Sequence, residues 1–124
     1  MKTAKQQTGT DGEVYARHWL MQKGYIIRET NWRYGRAEVD IIAEKEEKLI
    51  FIEVRSRKDY AFGFPEETIS NRKKKLYSLA ANEYIHRHQH NGEIRYDVIA
   101  LRIQKGTVTE AVHLEDAFWF IEEE

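Results

Sequence analysis

Two apolar runs flank a short acidic turn: Glu38-Val39-Asp40-Ile41-Ile42-Ala43 and Leu49-Ile50-Phe51-Ile52-Glu53-Val54-Arg55. The pattern predicts two strands of a hairpin centred on Glu46-Glu47. In that register Asp40 lies across from Glu53, and Glu38 across from Arg55. Side chains alternate with period two, so opposed residues share a sheet face. One face then carries Glu38, Asp40, Glu53 and Arg55, and the other Val39, Ile41, Ala43, Ile50, Ile52 and Val54. Ile42 and Phe51 beside the acids imply that the charged face is mostly covered. Two carboxylates directly opposed in a sheet repel unless a positive charge lies between them, and a covered, unpaired carboxylate is costly. A divalent cation is the usual remedy.

The rest of the chain divides by similar signals. Residues 1–9 read as a flexible lead-in. Thr10-Asp11-Gly12-Glu13 has the form of a capping box, with Thr10 as N-cap and Glu13 at the third helical position. The helix it predicts runs to Lys23, where Gly24 ends it. Tyr25 to Trp32 reads as a first strand, and Arg33 to Arg36 as a turn. Ser56 to Phe64 reads as a loop, with Pro65 opening a helical turn. Ser70 is a second N-cap candidate, and Leu76, Leu79, Ala80, Glu83 and Tyr84 continue at helical spacing to about Arg87. His86, His88 and His90 alternate near its end, but residues two apart on a helix point in different directions, which disfavours a shared metal. Ile94 to Ile103 predicts a strand buried on both faces, Gly106 a turn, Val108 to Val112 a short strand, and His113 to Phe120 a terminal helix. Asp97 falls inside the apolar strand, where a loop or Arg95 is its available partner.

This order (αβββαββα) mixes hairpins with a helical crossover, so the expected fold is α/β, a central mixed five-stranded sheet flanked by helices. The 124 residues suit a single domain, over 10–121, followed by an acidic tail at 122–124. There are no cysteines, which excludes disulfides and thiolate-bound zinc. No apolar run approaches the length of a membrane span, and Met1 to Gln7 lacks the apolar core of a signal peptide, so the expected location is cytoplasmic, without membrane contact.

The net charge of -1 does not announce a nucleic-acid partner, but the cations cluster: Arg33 with Arg36, Arg55 with Arg57 and Lys58, and Arg72 through Lys75. Such clusters attract phosphates locally. Trp32, Tyr34 and Tyr60 lie in or beside these basic segments, where they could stack bases or seal the edge of the core.

An Asp on one strand followed by Glu-x-Lys on the next marks the PD-(D/E)XK superfamily of metal-dependent phosphodiesterases, and here Asp40 is followed by Glu53-Val54-Arg55. Gly12-Glu13, Ala16, Gly24-Tyr25, Asn31 with Arg33, Phe62-Gly63, the helix from Lys73 to Tyr84, Arg95-Tyr96-Asp97-Val98 and Ala117-Phe118 complete the pattern. Together these segments resemble the YraN-like family of small bacterial endonuclease-like proteins, distantly similar to archaeal Holliday junction resolvases. The resemblance implies a restriction-endonuclease-like fold and Mg²⁺ or Mn²⁺ held by Asp40, Glu53 and the Val54 carbonyl, with Glu13 assisting. It implies a catalytic set of Asp40, Glu53, Arg55 and Glu13, and a backbone-binding set of Arg33, Arg36, Arg57, Lys58, Arg72 and Lys73. The substrate class it implies is branched or structured DNA, and a homodimer would match the two-fold symmetry of a junction.

Two positions depart from the family pattern. Ala37 stands where Gly is usual, and Arg55 stands where Lys is usual. Arginine keeps the charge but cannot act as a base. Either Arg55 stabilises the transition-state phosphate, or an amine comes from Lys73, Lys74 or Lys75, or catalysis is weak or absent and binding survives. A protein-interaction subunit is the reading from outside the nucleic-acid class. Glu13 reads equally as a capping glutamate, and Glu38 as a cross-strand partner of Arg55.

Overall fold

The computed structural model describes residues 4–57 and 70–117, with side chains from Asp11 onward. Lys58, Tyr60, Phe62-Gly63, Pro65, Phe118 and the acidic tail lie outside the described residues. The described elements are α1 (Ala4–Gln22), β1 (Ile26–Tyr34), β2 (Ala37–Lys45), β3 (Lys48–Arg57), α2 (Asn71–His88), β4 (Ile94–Gln104) and β5 (Thr107–Leu114). The strands form one sheet in sequence order, β1-β2-β3-β4-β5. All neighbours pair antiparallel except β3 and β4, which are parallel. A parallel pair cannot be joined by a tight turn, and the connection that contains α2 makes the crossover. The result is an α/β domain with a mixed five-stranded sheet flanked by two helices, a restriction-endonuclease-like arrangement.

Each helix covers one face. Ala16 and Leu20 of α1 pack on Ile41, Ala43, Ile50, Ile52, Ile99 and Leu101. Tyr77, Ala80, Ala81 and Tyr84 of α2 pack on Ile42, Phe51, Tyr96 and Val98. Adjacent residues of β2, β3 and β4 therefore point into different cores, which is why these strands are almost continuously apolar. The hairpin register is the expected one, with Ile41 opposite Ile52, Ile42 opposite Phe51 and Lys45 opposite Lys48. Glu46 and Glu47 turn it with φ of 52° and 67°.

Three expectations are corrected. Helix α1 begins at Ala4, so Thr10 to Glu13 lie within it and do not cap it. His113 and Leu114 end strand β5 and are followed by a turn, so no terminal helix starts at His113; an apolar stretch this short fits a half-buried strand as well as a helix. Val39 packs with the α2-side core and not with Ile41 and Ala43. The departure falls beside Asp40, level with Asn31 of β1, which has a positive φ of 51°. Ser70 does cap α2 as expected: its Oγ accepts the Lys73 N–H at 3.1 Å.

Gly12 marks the close approach of α1 to the sheet. It is buried, and a Cβ there would collide with Ser56 Oγ and touch Leu101 and Ile103. Alanine gains up to about 1 kcal/mol of helix propensity over glycine, but overpacking costs about 1–3 kcal/mol. Gly12→Ala should therefore lower stability by about 1 kcal/mol in urea titration; a rise in midpoint would show that Ser56 simply rotates aside.

A buried polar network holds β4, β5 and the turn after α1 together. Asp97 is 0 % exposed. It accepts Arg95 Nε and Nη2, each at 2.8 Å, His113 Nε2 at 2.7 Å and the Asp116 N–H at 2.9 Å. Lys23 Nζ lies 2.6 Å from His113 Nδ1. With an ammonium donating there, the imidazole carries its proton on Nε2 and donates it to Asp97. Arg95 also donates to Tyr25 Oη at 2.8 Å. The partner of Asp97 is thus both Arg95 and the turn after β5. Among the described residues, no helix is long and apolar enough to cross a membrane.

Candidate metal and phosphate site

The ladder between β2 and β3 runs only as far as Ile41 and Ile52. One position beyond, Asp40 turns its carboxylate onto the neighbouring strand, and Oδ2 accepts the Val54 N–H at 2.8 Å. That bond satisfies a backbone donor that the parting strands leave behind. It also fixes Asp40 beside Glu53, the next residue of the same register. Glu53 is only 3 % exposed. Its Oε1 contacts Lys73 Nζ from the first turn of α2, and its Oε2 lies 3.8 Å from Arg55 Nη1. Oε2 is buried and accepts no hydrogen bond, a costly state for a carboxylate oxygen.

The electrostatics match this geometry. Burial pushes the Asp40 carboxyl up to about 7, the Val54 N–H opposes the rise, and Glu13 and Glu53 add to it. Glu13 therefore lies close enough to act on Asp40 from α1. Tyr77 is buried under α2, where burial and the charges of Asp40 and Glu53 push its hydroxyl well up. Tyr77 was not among the residues expected from sequence. Its spacing of four from Lys73 places the two on one helix face, and that was the available signal.

Arg36, Glu38, Asp40, Ser70, Arg72, Lys73, Leu76 and Tyr77 line a cleft of about 350 Å³ between the start of β2 and the start of α2. Three cations thus meet Glu38 and Asp40 across one opening. The other expected residues are placed less uniformly. Arg33 pairs with Glu38 at 2.9 Å, so the partner of Glu38 is on β1 and not Arg55, because the strands have parted before Arg55 could reach it. Arg57 is exposed at the end of β3 and donates to the Ser56 carbonyl at 3.1 Å. The histidines near the end of α2 are engaged separately: His88 Nδ1 with the Tyr84 carbonyl at 3.0 Å and His90 Nε2 with the Glu93 carbonyl at 3.0 Å.

Among the described residues, no group of three or more His, Asp or Glu side chains is placed to hold a metal ion. A closed protein cage is therefore not formed. Two carboxylates, one with an unsatisfied buried oxygen and the other desolvated, nonetheless fit a hard divalent cation that keeps water and takes phosphate oxygens to complete its shell. Asp40 and Glu53 could hold such an ion, with the Val54 carbonyl adjacent. Lys73 could contribute the amine that Arg55 lacks.

Residues 12–101 match the profile of "Uncharacterised protein family UPF0102". A UPF0102 protein of Flavobacterium psychrophilum is 40 % identical over 111 residues, covering 90 % of this chain and 92 % of that one. A UPF0102 protein of Phocaeicola vulgatus is 37 % identical over 111 residues, covering 90 % and 91 %. One from Pelobacter propionicus is 37 % identical over 114 residues, covering 90 % and 81 %. The matched span holds the whole β2–β3 hairpin, α2 and most of β4, and the chain belongs to the UPF0102 family.

Proposed function

We propose that this protein is a metal-dependent endonuclease that hydrolyses phosphodiester bonds in branched or structured DNA. The observation that carries the reading is the pairing of half-buried Asp40, which lines a cleft with Arg36, Arg72 and Lys73, with buried Glu53 behind it, one of whose carboxylate oxygens is unsatisfied. A buried acid beside a desolvated, half-buried one is costly to fold, and such costs collect at functional sites.

Asp40 and Glu53 would hold Mg²⁺ or Mn²⁺, with the Val54 carbonyl as a further ligand. A bound ion supplies Lewis acidity to a phosphate oxygen and lowers the pKa of an attacking water. The Val54 N–H holds one Asp40 oxygen in place and so orients the other. Lys73 neutralises Glu53 in the free protein, and its ammonium stays within reach of a phosphate that enters the cleft. Arg55 stabilises charge that develops on the phosphate but cannot serve as a base. Glu13 assists from α1. Arg36, Arg72, Arg33 and Arg57, with Lys58 beyond the described residues, would hold the backbone without reading sequence. Two-fold pairing of the protein would suit a four-way junction.

The test is cleavage of flap, junction and single-stranded DNA in Mg²⁺ and in Mn²⁺. The expected result is metal-dependent cleavage that disappears in Asp40→Ala. Arg55 favours a second reading, a binding module of the same fold. That reading takes over if DNA is bound but never cut, even by Arg55→Lys. If no DNA is bound at all, both readings fall.

A further inference from the structure

Trp32, Tyr34 and Arg87 form a cluster that the cleft chemistry does not use. Trp32 and Tyr34 are two apart on β1, and their rings are nearly parallel, with centroids 6.5 Å apart and planes inclined by 17°. The Arg87 guanidinium of α2 lies 5.7 Å from the Trp32 centroid and 5.8 Å from that of Tyr34. Trp32 has an evident packing role: it is half-buried against the α2-side core and meets Tyr84 edge-on at 5.4 Å. Tyr34 does not share that role. It is 40 % exposed, at the tip of the hairpin and on a strand with no outer neighbour.

The surroundings say what such a ring is suited to hold. Arg33 and Arg36 flank the hairpin tip, and Arg36 lines the cleft. Tyr34 pairs with Ala37, three residues before Asp40 on β2. At the rise of a strand, that separation is roughly 10 Å. Stacked nucleotides advance about 3.4 Å each along one strand, so Tyr34 stands two to three nucleotides from the carboxylates. Paired bases are already stacked on both sides; only an unpaired base has a face to offer an exposed ring. Aromatic rings beside arginines are the usual platform for single strands.

We propose that Tyr34, supported by Trp32 and Arg87, is a stacking subsite for an unpaired nucleobase on the strand that enters the cleft. This inference rests on the nuclease-fold reading above and names its substrate feature: a single-stranded segment beside the phosphate to be cut.

The test compares the binding of a single-stranded oligonucleotide and a blunt duplex by fluorescence anisotropy, in the wild type, Tyr34→Ala and Tyr34→Phe. Melting curves of each variant control for folding. The expected result is a roughly ten-fold weaker affinity of Tyr34→Ala for the single strand, with duplex affinity unchanged and Tyr34→Phe like wild type. A 2-aminopurine two to three nucleotides from the junction of a flap substrate should lose fluorescence on binding to the wild type and not to Tyr34→Ala. Equal losses on both substrates, or no loss on either, overturn the subsite while leaving the nuclease reading standing. A wild type that binds neither substrate overturns both.

Discussion

Asp97→Ala should cost about 3–5 kcal/mol of folding stability, the range seen when one partner of a buried ion pair is removed. The size follows from what is left behind. The Asp97 carboxylate serves Arg95 through two parallel bonds, His113 through one and the Asp116 amide through one. Its removal leaves the half-buried Arg95 without its bidentate partner and the buried His113 N–H without an acceptor. Each stranded donor carries its own desolvation penalty. The loss also reaches across elements, because His113 closes β5 and meets Lys23 in the turn after α1. In a domain of this size the midpoint of a thermal melt should fall by about 10 °C or more. A fall of only a degree or two would mean that water replaces the carboxylate.

The same group predicts acid sensitivity. Burial alone would raise the Asp97 carboxyl, but the bonds from His113, Arg95 and the Asp116 amide outweigh it and hold the group below the usual carboxylate range. A depressed folded-state pKa adds stability that is full above the unfolded value, near pH 4, and is lost as pH falls through the folded value. Wild-type protein should therefore lose stability below about pH 4 more steeply than Asp97→Ala does.

What could be read along the chain was whatever local pattern decides. The hairpin register follows from alternation around Glu46-Glu47, and the observed pairs obey it. The start of α2 follows from Ser70, a short-range cap. The unread parts depend on contacts distant in sequence. The sequence offers Lys73, Lys74 and Lys75 alike as an amine for the site, and only the packing of α2 selects Lys73, which reaches Glu53 twenty residues earlier. Nothing near Asp97 says that His113 and the Asp116 amide will close on it, since the residues beyond Leu114 look as helical as they look strand-like. Likewise, Thr10 to Glu13 have capping chemistry, but the helix that contains them extends back to Ala4. A local signal shows where a helix can start, not where it does.

Asp40→Asn should produce a protein that is more stable in the absence of metal and yet inactive. With its carboxyl pushed up to about 7 by burial and by Glu13 and Glu53, Asp40 resists ionisation in the folded chain but ionises freely near pH 4 when unfolded. A raised folded-state pKa gives stability that is full below the unfolded value and lost as pH rises through the folded one. In EDTA, wild-type stability should therefore drop between about pH 4 and pH 7. Asparagine keeps an oxygen for the Val54 N–H and carries no charge, so its advantage should grow over that window to about 2–4 kcal/mol at pH 8. Divalent metal should reverse the order: at pH 8, Mg²⁺ or Mn²⁺ should raise the melting temperature of the wild type, because a ligand of the native state stabilises it. The same addition should leave Asp40→Asn nearly unmoved and without cleavage. An asparagine variant no more stable than wild type at pH 8 would show that Asp40 is well solvated. A wild type indifferent to both metals would instead leave Glu53 to Lys73 and Arg55, and the metal-dependent chemistry would go.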